Sequence, residues 1–416
     1  MTWQRVAFRD LGQWFGGATP SKGNPAFWTD GSIPWLSPKD MGPVVLAGTR
    51  DHISQEALSR SSVRVVPANA VAVVVRSGIL ERTLPVGLVP FETTLNQDMK
   101  AVVSRPGIDP RWIAWGFRAF ERELLSTTRK AGTTVASIEM PRFQGFQLPV
   151  PALAEQRRIV DIIEGHLSGL DAADSDVAAA ASRVTALRRA ALEWHFGLRG
   201  PVTTLGELAP TISAGKSFGA ANAPAKVDEW GIVKVSAMTW GTFDPNQNKA
   251  VPAELVDPRY EIRPGDLLVS RANTSEYVGA SVLVGEVRPR LLLSDKSLRV
   301  TPRSGVKSEW LWRALQAPSA RRQISAQATG TKDSMRNISQ ASLRSVRLPS
   351  ISLDDQEVAL ENYAQVEAAT TRLAHAISAQ RARTSKLKRA VLAAAFEGKL
   401  TGRRTDADVV EELADV

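Results

Sequence analysis

The chain has no cysteine among its 416 residues, so disulfides and thiolate metal sites are excluded and the expected setting is a reducing cytoplasm. It also lacks any long apolar run. Runs such as residues 70–75 fall far short of the roughly 20 residues that cross a bilayer. The N-terminal stretch MTWQRVAFRDLGQWFGG has no unbroken apolar segment of the signal-peptide type. A soluble, unsecreted protein with no membrane partner is expected. The four histidines, His52, His166, His195 and His375, show no HxxxH spacing, which suggests neither a histidine metal site nor a nucleophilic triad. Gly215-Lys216-Ser217 looks like the end of a phosphate loop, but the earlier glycine such a loop requires is Pro210, which has no backbone N–H to offer a phosphate.

What is present is a duplication. LPVPALAEQ at 148–156 returns as LPSISLDDQ at 348–356, and LRRAALEWHF at 187–196 returns as LKRAVLAAAF at 387–396. A unit this long is no solenoid repeat, whose period runs about 20 to 50 residues. Each copy must be a globular domain followed by a helical module. The interiors have diverged but keep an order: Ile33-Pro-Trp-Leu-Ser37 answers Ile232-Val-Lys-Val-Ser236, Asn96-Gln-Asp-Met answers Asp295-Lys-Ser-Leu, and Trp112 and Trp115 answer Trp310 and Trp312. Gly132-Thr133 likewise answers Gly330-Thr331. In the first copy, Asp109 before Pro110 reads as a helix start, a carboxylate cap followed by proline at the first helical position. The segments are globular 1–150, helical 151–202, globular 203–347, helical 348–402 and an acidic tail 403–416.

Charge separates these segments. Residues 1–150 hold 17 Lys and Arg against 12 Asp and Glu, and 203–347 hold 20 against 13, while 151–202 hold 6 against 7 and 348–416, the acidic tail included, hold 9 against 11. A polyanionic partner would therefore meet the globular parts. In the first helical module apolar residues recur every seven positions as Ile163, Leu170, Val177, Val184 and Ala191, with Ala173, Ala180, Leu187 and Trp194 between them, a coiled-coil seam. The second seam, from Tyr363 through Thr370, Leu373, Gln380 and Thr384 to Ala394, carries polar members. If the second globular domain has its ends close together, as compact domains often do, the two helices must run antiparallel. The expected class is α+β: two pseudo-symmetric globular α/β domains separated by a pair of long antiparallel coiled-coil helices.

This arrangement resembles the specificity subunit of a type I restriction-modification system. The residues that carry the resemblance are Leu148-Pro149…Leu153-Ala154-Glu155-Gln156 and Leu348-Pro349…Leu353-Asp354-Asp355-Gln356 at the helix entries, the Leu-[Arg/Lys]-Arg-Ala…Leu…Phe exits, Leu11-Gly12, Ile33-Pro34-Trp35, and Phe396-Glu397-Gly398-Lys399-Leu400. One departure is Asp355, where the family has Glu. The resemblance implies two target-recognition domains, each reading one half of a split double-stranded DNA target, with the helices spacing the halves and docking two methyltransferase subunits. It implies no catalysis and no cofactor in this chain. S-adenosylmethionine would come with the methyltransferase subunits, and ATP and Mg²⁺ with motor-endonuclease subunits.

Residue type and position then select candidates. Lys and Arg suit phosphates; Arg suits guanine, Asn or Gln suits adenine, and Ser or Thr adapts to either. In the first domain these are Lys39, Arg76, Arg82, Lys130 and Thr133; in the second, Lys216, Arg271, Asn273, Thr274, Lys332 and Arg336. Arg188, Arg189, Lys388 and Arg389 near the helix exits are candidates for partner subunits or for the negative helix C-terminus. Glu155-Gln156 and Asp355-Gln356 are placed to satisfy free N–H groups at the starts of their own helices. The four tryptophans at helical spacing read as core. Two other functions are weighed. Pro90, Glu92, Asp98 and Lys100 sketch a metal-dependent nuclease, although the second copy lacks the pattern, and the helices alone would suit a scaffold with no DNA role. No Asn-Pro-Pro-aromatic motif for adenine methylation is present.

Overall fold

The computed structural model describes residues 3–130, 135–219, 223–239, 241–332 and 335–400, and the side chains of Thr331 and Lys332 are not among what is described. Thr133 and the acidic segment 403–416 lie outside the described residues. Among those described, no helix is long and apolar enough to cross a membrane. The architecture is the expected α+β one, formed as two units: residues 1–177 with 379–416, and residues 178–378. Each unit combines one globular head with a stretch of both long helices.

In the first unit, Gln4–Ala7 pairs antiparallel with Gln147–Val150, so the chain enters and leaves the head side by side. Between these strands lies an antiparallel sheet in the order Gly12–Gly16, Met99–Ser104, Ala70–Val74, Val86–Val89. Every residue of Ala70–Val74 is buried, which is why that run is apolar without alternation: both of its faces are covered. A second sheet runs Asp51–Ile53, Ile33–Leu36, Thr93–Leu95, Val65–Val66, with one parallel pair between Ile33–Leu36 and Thr93–Leu95. Helix Pro110–Ala119 packs on the first sheet and starts as its sequence predicts. Asp109 Oδ1 accepts the Arg111 N–H at 2.9 Å, and Pro110 fills the first helical position.

The second unit repeats this plan. Val202–Thr204 pairs with Arg347–Pro349, which supplies the adjacent head termini that the antiparallel argument requires. The main sheet runs Thr211–Ala214, Ser297–Thr301, Leu267–Ser270, Ser281–Leu283, and a smaller one runs Asn248–Ala250, Gly231–Val233, Leu291–Leu292, again with one parallel pair. Helix Ser308–Gln316 takes the place of Pro110–Ala119. The second head also forms a three-stranded sheet of Ala272–Asn273, Met335–Asn337 and Thr329–Lys332, and at the corresponding place the described residues of the first head form the bridges Arg76 to Ser137 and Arg129 to Ile138.

The two long helices, Leu153–Phe196 and Leu353–Phe396, have 44 residues each. Within the first unit they run antiparallel: Arg158 donates to the Leu400 carbonyl, and Lys388 reaches Asp171 and Asp174. Within the second they do the same, with Arg188 on Thr370 and Thr371 and the Phe196 ring against Tyr363. Each head core is finished by helix ends. Ile159, Ile163 and Phe396 join the first core; Phe196 and Tyr363 join the second.

The heptad reading of these helices holds at Ile163, Ala191, Tyr363, Thr370, Thr384 and Ala394, all buried. It fails at Leu187, Trp194 and Leu373, which are 50%, 62% and 50% exposed. A helix with 3.6 residues per turn drifts about 20° per heptad against a strict 3.5 repeat, which turns Leu187 and Trp194 outward while Ala191 between them stays buried.

The helix-entry glutamines differ from the capping role expected of them. Gln156 is fully buried. Its Oε1 accepts the Asp109 N–H at 2.9 Å, and its Nε2 donates to Gly107 O at 3.0 Å and Pro151 O at 2.8 Å. Gln356, 1% exposed, repeats the arrangement: Oε1 accepts the Lys307 N–H at 2.9 Å and Nε2 donates to Gly305 O at 3.1 Å. Each glutamine thus serves the turn that opens the head helix and clamps that turn to the long helix. Of the neighbouring acids, Asp355 accepts the hydroxyl of Ser352 at 2.6 Å, and it is that hydroxyl which caps the helix by accepting the Asp355 N–H at 3.1 Å, while Glu155 pairs with Arg158. In the first head the clamp is flanked by Asp109 near Arg157, and in the second by Lys307 on Glu357, the same contact with its charges exchanged.

Candidate nucleic-acid interface

Backbone hydrogen bonds align the heads where sequence identity has gone. Gly17 N–H bonds Met99 O, and Gly215 N–H bonds Ser297 O; Met99 N–H returns to Asn96 O, and Ser297 N–H to Ser294 O. Both glycines are required here, since a Cβ would sit 1.8 Å from Asn96 O in one head and 2.2 Å from Leu293 O in the other. The turn Asn96-Gln97-Asp98-Met99 therefore corresponds to Ser294-Asp295-Lys296-Ser297. That is one residue away from the match made on sequence, because no side chain common to both turns marks the register. The strand leading into this region aligns by the same means. Val74 pairs with Met99 and Ser270 with Ser297, and Val75 N–H and Arg271 N–H bond Asp98 O and Lys296 O. Arg271 thus occupies the place of Val75, and Ala272 that of Arg76. Trp115 is likewise matched by Arg313 and not by Trp312: each reaches a long-helix acid, Trp115 on Glu164 and Arg313 on Glu367, whereas Trp312 bonds Ser281 O. Trp112 and Trp310 are fully buried, as core residues should be.

In the first head these elements frame a cavity of about 580 Å³ lined by Arg76, Gln97, Lys130, Val135 and Ser137, with Val75 and Ile138 behind. Asp98 organises its polar groups. Its Oδ1 accepts Arg76 Nε at 2.6 Å, its Oδ2 accepts Gln97 Nε2 at 3.1 Å, and its own N–H is held by Asn96 Oδ1 at 2.7 Å. The Thr19 hydroxyl donates to Gln97 Oε1. Two of the expected residues, Arg76 and Lys130, come together here; Gln97 and Ser137 were not among those expected. The amide at Gln97 is visible in the sequence, but its neighbour Asp98 figures there only in the alternative nuclease pattern. Asp98 is committed to Arg76 and Gln97, and among the described residues no group of three His, Cys, Asp or Glu could hold a metal ion. Lys39 pairs with Asp51 at 2.6 Å and Arg82 is exposed at the end of a short 3-10 turn; neither lines the cavity.

Residues 1–172 match the family described as "Type I restriction modification DNA specificity domain". That match covers the first head and the start of the first long helix. The chain is 44% identical over 155 residues to the EcoR124I/EcoR124II specificity subunit of Escherichia coli, across 37% of this chain and 38% of that one. Against the EcoKI specificity subunit of Escherichia coli strain K12 it is 24% identical over 296 residues, 66% of this chain and 62% of that one. These matches span less than two thirds of either relative. The fold is shared over 96% of this chain with two solved chains. One, 18% identical with a TM-score of 0.74 over 98% of its length, comes from a structure described as the basis of complex assembly and conformational transition of the type I R-M system. The other is the HsdS subunit of Thermoanaerobacter tengcongensis, 19% identical with a TM-score of 0.50 over 97% of its length.

In the second head the corresponding turn presents Asp295 and Lys296, both exposed. Lys216 is exposed with its ammonium 5.7 Å from the Phe218 ring, and Arg271 is exposed beside Lys296. Backbone N–H groups of Gly215 and Lys216 are spent on Ser297 O and Leu293 O, so this segment forms no phosphate cradle. Asn273 Oδ1 accepts the Thr274 N–H at 2.8 Å, and Thr274 Oγ1 is buried without a partner among the described residues. Arg336 braces its own hairpin through Gly330 O and Ala328 O. Arg321, whose pKa burial pulls below the usual arginine value, holds the turn after Thr274 through Glu276 O and Val278 O. On the long helices, Arg188 and Lys388 are engaged across the helix pair as described, Arg389 bonds Ser385, and Arg189 is exposed.

Proposed function

We propose that this chain is the DNA-recognition subunit of a type I restriction-modification complex, in which each head reads one part of a two-part target. The observation that carries this reading is the pair of heads with one backbone framework and different chemistry on it. Where the first head has Arg76, Gln97 and Asp98, the second has Ala272, Asp295 and Lys296. Conserved scaffolds with exchanged donors and acceptors suit reading two different sequences, and the excess of basic residues lies in both heads, where a polyanion would be met. The long helices would fix the spacing between the halves and dock two methyltransferase subunits, which bring S-adenosylmethionine; motor-endonuclease subunits would add ATP and Mg²⁺. Chemistry is then delegated, and this chain selects the site. Mobility shift of duplex DNA by the chain with its methyltransferase tests the reading. Sequence-specific, salt-sensitive binding is expected; equal binding to all duplexes, or Mg²⁺-dependent cutting by the chain alone, would contradict it.

A further inference from the structure

We infer that Arg76 reads a guanine in the half-site of the first head and that Asp98 is the positioning residue that aims it; this rests on the DNA-recognition reading above. Arg76 lines the cavity of about 580 Å³ and is 55% exposed, while Asp98, whose carboxylate holds it, is 22% exposed. The carboxylate takes Arg76 by Nε, at 2.6 Å. Neither terminal nitrogen of the guanidinium makes a hydrogen bond among the described residues. That leaves the end-on pair of Nη donors, the group that meets guanine O6 and N7 together. An arginine free at both ends would lose rotamer entropy on binding; one already held at Nε loses less.

Asp98 holds Gln97 with its second oxygen, so a single carboxylate sets the geometry of two side chains capable of reading base edges. A phosphate-contacting arginine has no need of an acid behind it, since the acid would offset the charge that attracts the backbone. The second head supports the assignment by difference. It has Ala272 and Lys296 at the aligned places, and so lacks both the fork and its support; its half-site is not read by this device.

The test is selection of random-sequence duplexes by the full chain assembled with its methyltransferase, comparing wild type with Arg76→Ala, Arg76→Lys and Asp98→Asn at several salt concentrations. Wild type is expected to enrich a motif with a guanine that Arg76→Ala no longer demands, discrimination there falling on the order of 10- to 100-fold, with the other half of the motif intact. That intact half reports a folded chain. Arg76→Lys should fail to restore the preference, because an ammonium cannot form the two parallel bonds, and Asp98→Asn should weaken discrimination at the same base with little change in the salt slope. Uniform loss of affinity across all sequences with a shallower salt slope would make Arg76 a phosphate contact and overturn the assignment, as would an unchanged motif. If wild type itself enriches no motif, the function proposed above falls together with it.

Discussion

Gln156 and Gln356 join head to helix through amides with no access to water, and removing either leaves its partners nowhere else to bond. Replacing Gln156 with Leu strands Gly107 O and the Asp109 N–H, at a cost of about 1–3 kcal/mol for a buried group left unmade. The expected result is a lower denaturation midpoint and faster amide exchange in 107–119, with 305–316 unchanged. Exchange that rises equally in both heads would contradict a local clamp. Phe396 is the second residue-scale test. Its ring lies 4.3 Å from that of Trp112 in the first head's core, so Phe396→Ala should cost roughly 3–5 kcal/mol, measured by chemical denaturation. These roles were only partly legible in the sequence. Repetition marked both glutamines as structural, but their partners in the heads sit 47 to 51 residues earlier in the chain, and no local pattern reports a bond across that separation. The charge reversal flanking the clamps, Asp109 with Arg157 against Lys307 with Glu357, is likewise visible only once the heads are folded.

The long helices show how far periodicity carries. Their existence, ends and antiparallel sense follow from the heptads and from the adjacent termini of the second head, yet Leu187, Trp194 and Leu373 were assigned to a seam they have left. Helix geometry decides this, and seven-residue spacing alone does not record it. Polar contacts hold the helices together between the apolar ones. Lys388 loses some basicity through burial, but its hydrogen bonds to Asp171 and Asp174 outweigh that and raise its pKa. A cation whose folded pKa is raised stabilises fully below its unfolded value and loses that contribution as pH climbs through the folded one. The stability gap between wild type and Asp171→Asn/Asp174→Asn should therefore be constant from neutral pH to about pH 10.4, the unfolded lysine value, and close above it. A gap that closes between pH 5 and 8 would assign it to other groups. The strands and turns were less legible. The order of elements in both heads was readable, but the turn that aims Asp98 was misaligned by one residue, since two turns sharing no side chain can be registered only by backbone hydrogen bonds.

At the scale of the molecule the duplication, the α+β class and the kinship with specificity subunits were all present in the sequence, because each depends on repeated motifs at the head boundaries. The candidate site was not. Arg76 and Lys130 were chosen by residue type, but Gln97 and Ser137 acquire meaning only from the cavity they line, and Asp98 only from its hold on Arg76 and Gln97. If the heads read independently, replacing residues 1–150 with the corresponding domain of another specificity subunit should alter one half of the recognised target and preserve the other; a change in both halves would show that the heads act as one reader. The central claim, that this chain selects a two-part DNA site for partners that modify it, is met most directly by mapping methylated adenines across the genome in cells with and without the chain. The account predicts that one motif, two specified parts around an unspecified spacer of fixed length, disappears when the chain is removed. An unchanged methylation pattern, or the loss of a single continuous motif, would contradict it.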